Sequence, residues 1–174
     1  MSDGRDACSG VDLRRYRPED QDAVVAINRW GLAAAGVPVD VDVYAGDLAD
    51  PDAVEATYLT GRSVLLVIEA VGGDLVGMGG LRPAGPDDPD TGEITRMRIL
   101  PAHQGHGHGR AVLAALEAHA HAFGYRRVVL LTGPDQHPAV DLYRSAGYVD
   151  ERHVDVDGLP GVYLTKDLEP GAVT

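Results

Sequence analysis

Lysine is almost missing from this chain: Lys166 is the only one in 174 residues. A P-loop, which needs Gly-Lys-Ser/Thr to hold nucleotide phosphates, is thereby excluded. Cysteine is equally scarce. The single Cys8 permits no internal disulfide, and its place in the weakly patterned N-terminal segment argues against catalytic work. Positive charge is in deficit, with 15 Lys and Arg against 27 Asp and Glu and a formal charge of −12 at pH 7. That balance argues against nucleic acid as a partner, because phosphate binding relies on Lys and Arg. Aromatic residues, at 5%, leave little to stack on bases. No apolar run approaches the roughly 18 residues of a membrane span. Residues 1–10 show neither a basic n-region nor an apolar h-region, so the expectation is a flexible N-terminal tail and a cytoplasmic protein without a membrane partner.

What is present suits one domain with a substantial core. Residues 11–16 read as a strand. Pro18 followed by Glu19, Asp20 and Asp22 reads as a helix start, with carboxylates complementing the dipole. Ala23, Ile27, Trp30 and Ala34 recur at helical spacing and predict a buried stripe. A Pro/Gly/Asp-interrupted segment, 36–56, leads into a second short helix near 51–59. Two β-rich runs, 63–71 and 75–81, flank Gly72-Gly73-Asp74, a hairpin signal. Residues 84–92 read as a loop and 93–100 as another strand. A helix carrying Val112, Leu116, Ala120 and Phe123 follows, then a buried strand at 127–132, a short helix at 138–146 closed by Gly147, and a strand pair around Asp157-Gly158. The order, roughly βααβββαβαββ, predicts an α/β fold with helices flanking a central sheet.

The chemistry concentrates at Gln104-Gly105-His106-Gly107-His108-Gly109-Arg110, between a strand and a helix. Glycines there permit positive φ and close backbone approach, and the free N–H groups of the helix start favour an anion. Together they predict a pyrophosphate cradle. A dinucleotide fingerprint fits poorly: the spacing is G-x-G-x-G rather than G-x-G-x-x-G, and the loop falls late in the chain.

On these residues the chain resembles the GNAT superfamily of N-acetyltransferases. The family's acyl-CoA signature, Gln/Arg-x-x-Gly-x-Gly/Ala, is met by Gln104, Gly107 and Gly109. The preceding Glu93-Ile-Thr-Arg-Met-Arg-Ile-Leu-Pro101 is similar to the family's central strand, and residues 135–148 to its helix carrying a tyrosine before a Gly-aromatic pair. The resemblance covers roughly 11–166. It implies a GNAT-like mixed, largely antiparallel sheet, and a single acyl-CoA N-acyltransferase domain over 11–168, with 169–174 as a C-terminal tail.

The resemblance also implies chemistry. Acetyl-CoA would be the co-substrate, its pantetheine arm pairing with the backbone of Met97, Arg98 and Ile99, where N–H groups could also stabilise the oxyanion. Its pyrophosphate would meet Gly105, His106, Gly107, His108, Gly109 and Arg110. Glu93 lies where some members carry a catalytic glutamate, able to take the amine's proton directly or through water; a solvent-exposed strand-end glutamate fits the same position. Tyr143 matches the family's tyrosine near the thioester sulfur, although a core tyrosine on a short helix has the same spacing. Many relatives have asparagine where this chain has His137, whose imidazole could serve a pantetheine carbonyl or cap the helix.

The seven histidines suggest no metal. His106/His108 and His119/His121 are i, i+2 pairs, which on a helix face apart, and no Cys partners them. His119 is expected beside the buried stripe and His121 in solvent. Between residues 36 and 56 stand six carboxylates (Asp40, Asp42, Asp47, Asp50, Asp52, Glu55) and no Lys or Arg. They are either a wall that concentrates a cationic amine or an ordinary solvated loop. The function expected is transfer of an acetyl group to a primary amine of a small molecule in a ternary complex; the alternative is a non-catalytic acyl-CoA-binding regulatory module. A longer acyl group and a homodimer, common in the family, stay open.

Overall fold

The computed structural model describes residues 10–37 and 46–170. The rest of the expected tails, Cys8, Asp40 and Asp42 lie outside them. Seven strands form one sheet in the order β1-β2-β3-β4-β5-β7-β6. They are β1 (Val11–Arg15), β2 (Val64–Ala70), β3 (Leu75–Gly85), β4 (Asp88–Ile99), β5 (Arg127–Thr132), β6 (Val149–Val156) and β7 (Leu159–Asp167). Every neighbouring pair is antiparallel except β4–β5. Among the described residues the α-helices are α1 (Gln21–Ala34), α2 (Pro51–Tyr58), α3 (His108–Ala122) and α4 (His137–Ser145). The element order is the βααβββαβαββ read from the sequence.

The sheet is covered on both faces, and β2 shows why its sequence is continuously apolar. Val64, Leu66 and Ile68 join the core beneath α3, while Leu65 and Val67 join the core beneath α1 and α2. A strand buried on both sides needs apolar residues at every position rather than at alternate ones. The start of α2 is set locally: the Asp50 carboxylate accepts from Ala53 N at 2.8 Å, and Pro51 occupies the first turn. Among the described residues no helix is long and apolar enough to cross a membrane.

Three expectations need correction. Residues 84–92 are not a loop, because β3 and β4 run on as a hairpin to the pair Gly85↔Asp88. Pro83 is accommodated at a register shift, where the regular ladder is already broken. The buried face of α1 is Val24, Ile27, Asn28 and Gly31, one step round from the apolar stripe; Trp30 is half-buried and Ala34 exposed. Strand β5 is buried on one face only, with Leu131 39% exposed on the other.

Candidate active site

The central feature is a parting of strands. β4 pairs with β5 only from Thr91↔Arg127 to Ile94↔Leu130, although β4 continues to Ile99. Beyond Ile94 its β5-facing edge is open. The parting coincides with a bulge. Met78 pairs with Arg98 and Gly80 with Thr95, so Arg96 and Met97 together oppose Gly79, and Arg96 takes φ 58°. A side chain at positive φ costs about 1–2 kcal/mol. The Arg96 guanidinium is gripped from outside the strand. Nε and Nη2 donate to Asp47 Oδ1 at 3.1 and 2.6 Å, and Nη1 donates to Asn28 Oδ1 at 3.2 Å.

Alternation assigns the main-chain groups beyond the bulge. Leu100 N donates to Val76 O at 2.9 Å, so Leu100 and Arg98 direct their backbones toward β3, while Met97 and Ile99 direct theirs to the open edge. The Ile99 carbonyl accepts from Gln104 Nε2 at 2.8 Å, which latches the glycine loop to the end of the strand. Of the three strand residues singled out in the sequence, Met97 and Ile99 thus present main chain to the opening, while Arg98 turns its main chain to β3 and its Nη1 donates to the Met97 carbonyl at 3.1 Å.

The glycines of the loop are of two kinds. Gly105 (φ 77°) and Gly107 (φ 83°, the cap of α3) occupy the left-handed region, and a Cβ on either would meet only open space. Gly109 is a packing glycine: a Cβ there would lie 3.2 Å from Leu142 Cδ2 and 3.8 Å from Ile99 Cγ1, so its absence lets α3 start close against β4 and α4. The result is an unobstructed helix start whose N–H groups suit an anion. His108 is buried at its rim. Burial, then the charges of His106 and His103, hold its pKa below the ordinary imidazole value. Arg110 stands in the first turn of α3, and its Nη2 donates to Ser145 Oγ at 2.7 Å.

Across the opening, α4 carries Tyr143, 6% exposed and with its ring 6.0 Å from that of Tyr148. Burial pushes the Tyr143 phenol up to about 12, against a smaller opposing effect from Arg98. His137 is the first residue of α4 and exposed; the cap position belongs to Gln136, so His137 does not cap the helix.

On the α1/α2 side, Glu93 Oε2 accepts from Arg82 Nε at 3.1 Å, leaving Oε1 uncommitted among the described residues. Arg82 Nη1 also donates to Asp47 Oδ2 at 3.1 Å, and the Tyr58 hydroxyl donates to the same oxygen. Burial, then the Asp47 charge, raise the Tyr58 pKa. Asp47 is thus a buried hub between two arginines, and Asp50 is a helix cap. Neither is a free surface carboxylate, so an acidic wall would rest on Asp40 and Asp42, outside the described residues, with the exposed Asp52 and Glu55.

The comparisons with known proteins agree with this geometry. The family model described as "Acetyltransferase (GNAT) family" matches residues 41–148. The chain belongs to the GNAT acetyltransferase family. A mycothiol acetyltransferase of Pseudarthrobacter chlorophenolicus is 32% identical over 142 residues, covering 80% of this chain and 42% of that protein, so the chain spans under half of that relative's length. A GNAT-family acetyltransferase from Staphylococcus aureus superposes with a TM-score of 0.78 at 14% identity, over 91% of this chain and 99% of the other. The putative acetyltransferase yncA of Salmonella typhimurium, solved with acetyl-CoA, gives a TM-score of 0.74 at 22% identity, over 94% and 97%. At these identities the structural likenesses establish a shared fold.

Within this GNAT fold, the glycine loop, Met97, Ile99 and Tyr143 gather around the parted strands, with Glu93 where the parting begins. The Arg82–Asp47–Arg96 network and the Arg98 side chain escaped the sequence reading. The signal was present as Arg96-x-Arg98, two charges two apart on one strand, opposite a helix face holding Asn28 and Gly31.

Proposed function

We propose that this protein is a cytoplasmic N-acetyltransferase that moves the acetyl group of acetyl-CoA to a primary amine of a small molecule, directly, in a ternary complex. The observation that carries the reading is the open edge of β4 beyond Ile94, ending at a helix start with unobstructed positive-φ glycines. A pantetheine arm needs an unpaired strand edge to complete its amide hydrogen bonds, and a diphosphate needs convergent N–H donors. Both lie within one strand-to-helix connection. The residues 105–110 would hold the diphosphate, with Met97 and Ile99 offering main chain to the arm and His137 at the mouth of α4.

The amine nitrogen attacks the thioester carbonyl carbon, forming a C–N bond and an oxyanion. N–H groups on the open edge of β4 donate to that oxyanion. Glu93 takes the ammonium proton, through a water at Oε1, before attack. The C–S bond then breaks with the Tyr143 hydroxyl donating a hydrogen bond to the departing sulfur; the second proton on nitrogen leaves to water as the carbonyl re-forms, and the CoA thiolate takes a proton from water. Acetyl-CoA and amine become CoA thiol and N-acetyl amine. The test is thiol release from acetyl-CoA across amino acids, polyamines, aminoglycosides and peptide N-termini. Tight acetyl-CoA binding without release on any of them would instead identify a binding module.

A further inference from the structure

One buried cation in this site has no counter-charge among the described residues. Arg98 leaves β4 toward α1, and Gly31 admits it: a Cβ at Gly31 would collide with Arg98 Cδ and Nε. Nε is sealed from solvent without a hydrogen-bond partner, and Nη1 donates only to the adjacent Met97 carbonyl at 3.1 Å. Among the described residues no carboxylate pairs with Arg98, whereas Arg82 pairs with both Asp47 and Glu93, and Arg96 with Asp47. Burial, then the charge of Arg96, lower the Arg98 pKa. A partly buried charge with nothing to neutralise it destabilises a fold. It is retained where a ligand brings the opposite charge, and a guanidinium matches a carboxylate in shape as well as sign.

Location points to which ligand. The glycine cradle belongs to α3, on one face of the sheet; Arg98, Glu93 and Arg82 belong to the α1/α2 face, from which an amine would reach the thioester. Glu93 and Arg98 pair with Arg82 and Met78, four residues apart on β3, about 13 Å along the strand. The reach of both side chains shortens that gap to the size of a small molecule. We propose that Arg98 holds a carboxylate of the acceptor, so that this enzyme acetylates amino acids or other amino carboxylates rather than polyamines. This rests on the acetyl-transfer reading above.

The experiment measures thiol release with the proteinogenic amino acids, their carboxamides, putrescine and spermidine. The best acceptor is expected to be an amino carboxylate, with kcat/KM falling on the order of 10- to 100-fold in its carboxamide, the range of one hydrogen bond to a charged group. In Arg98→Gln the preference for carboxylate over carboxamide collapses, chiefly through acceptor KM, and Arg98→Lys recovers part of it. The melting temperature of Arg98→Gln holds or rises, because an uncompensated charge is removed; a purely structural arginine would lower it. Gly31→Ala provides a second route, displacing the guanidinium from the helix side and raising KM for the carboxylate. Equal turnover of carboxylate and carboxamide, or better turnover of polyamines, overturns the proposal and leaves acetyl transfer standing. Silence with every acceptor despite acetyl-CoA binding overturns both.

Discussion

Replacing Tyr143 with phenylalanine isolates the leaving-group step. The ring keeps its packing against Tyr148, so only the hydroxyl is lost. The magnitude follows from two pKa values. The buried phenol stands at about 12, whereas a thiol has a pKa of about 8.5. Complete proton transfer from phenol to thiolate is therefore uphill by roughly 3.5 units, or about 5 kcal/mol. In the proposed reaction Tyr143 accordingly serves as a hydrogen-bond donor to a sulfur that leaves largely as thiolate. Such a bond to a charged group contributes about 1.5–3 kcal/mol, which predicts a fall in kcat of roughly 10- to 150-fold. Acetyl-CoA affinity should hold within about threefold, since the bond strengthens only as charge develops. The raised pKa also fixes the pH behaviour. The phenol keeps its proton until pH approaches 12, so Tyr143 contributes no titration between pH 6 and 10. Steady-state kinetics with saturating acceptor, together with isothermal titration of acetyl-CoA, measure both quantities. An unchanged kcat would remove Tyr143 from the chemistry. A loss of wild-type activity between pH 9 and 10.5 that vanishes in Tyr143→Phe would show that the phenol titrates far below its buried value and refute the burial argument.

The remaining predictions concern the base, the cradle and the network beneath the bulge. Glu93→Gln should lower kcat/KM at pH 7 by about 100-fold or more; an unaltered kcat/KM assigns the base elsewhere. Gly107→Ala places a side chain at φ 83° and should cost about 1–2 kcal/mol, read as a lower Tm and weaker acetyl-CoA binding. Asp47→Asn removes the buried carboxylate shared by Arg82 and Arg96 and should destabilise by about 2–4 kcal/mol, a fall in Tm of roughly 5–15 °C. A melt within 2 °C of wild type would deny the network its role. The imidazole of His108 has its folded pKa depressed, so its neutral form stabilises the fold above the unfolded value near 6.5. That contribution is lost as pH falls from there toward the folded pKa. NMR titration should place His108 below 6.5 in the free protein and higher once acetyl-CoA brings its phosphates, and stability between pH 7 and 5 should fall less in His108→Gln.

The sequence disclosed those parts of the molecule in which pattern and structure share one cause. Element order followed from apolar periodicity, and the cradle from glycines whose dihedral requirement other residues rarely meet. The parting of β4 from β5 was not legible, because pairing partners leave no trace in a single strand's sequence. The α1 stripe was misplaced for a more instructive reason. Apolar periodicity assumes that a buried helix face is apolar, and here Asn28 and Gly31 occupy two of its four positions. Asn28 receives Arg96, which holds the bulge, and Gly31 yields space to Arg98. Both exceptions adjoin the same open edge. A helix that gives up apolar packing at two adjacent turns loses stability there, and that loss is consistent only with a face shaped around charged groups. The misread stripe and the buried arginine are thus one feature seen from two elements: α1 is cut to hold a guanidinium that no carboxylate among the described residues pairs with.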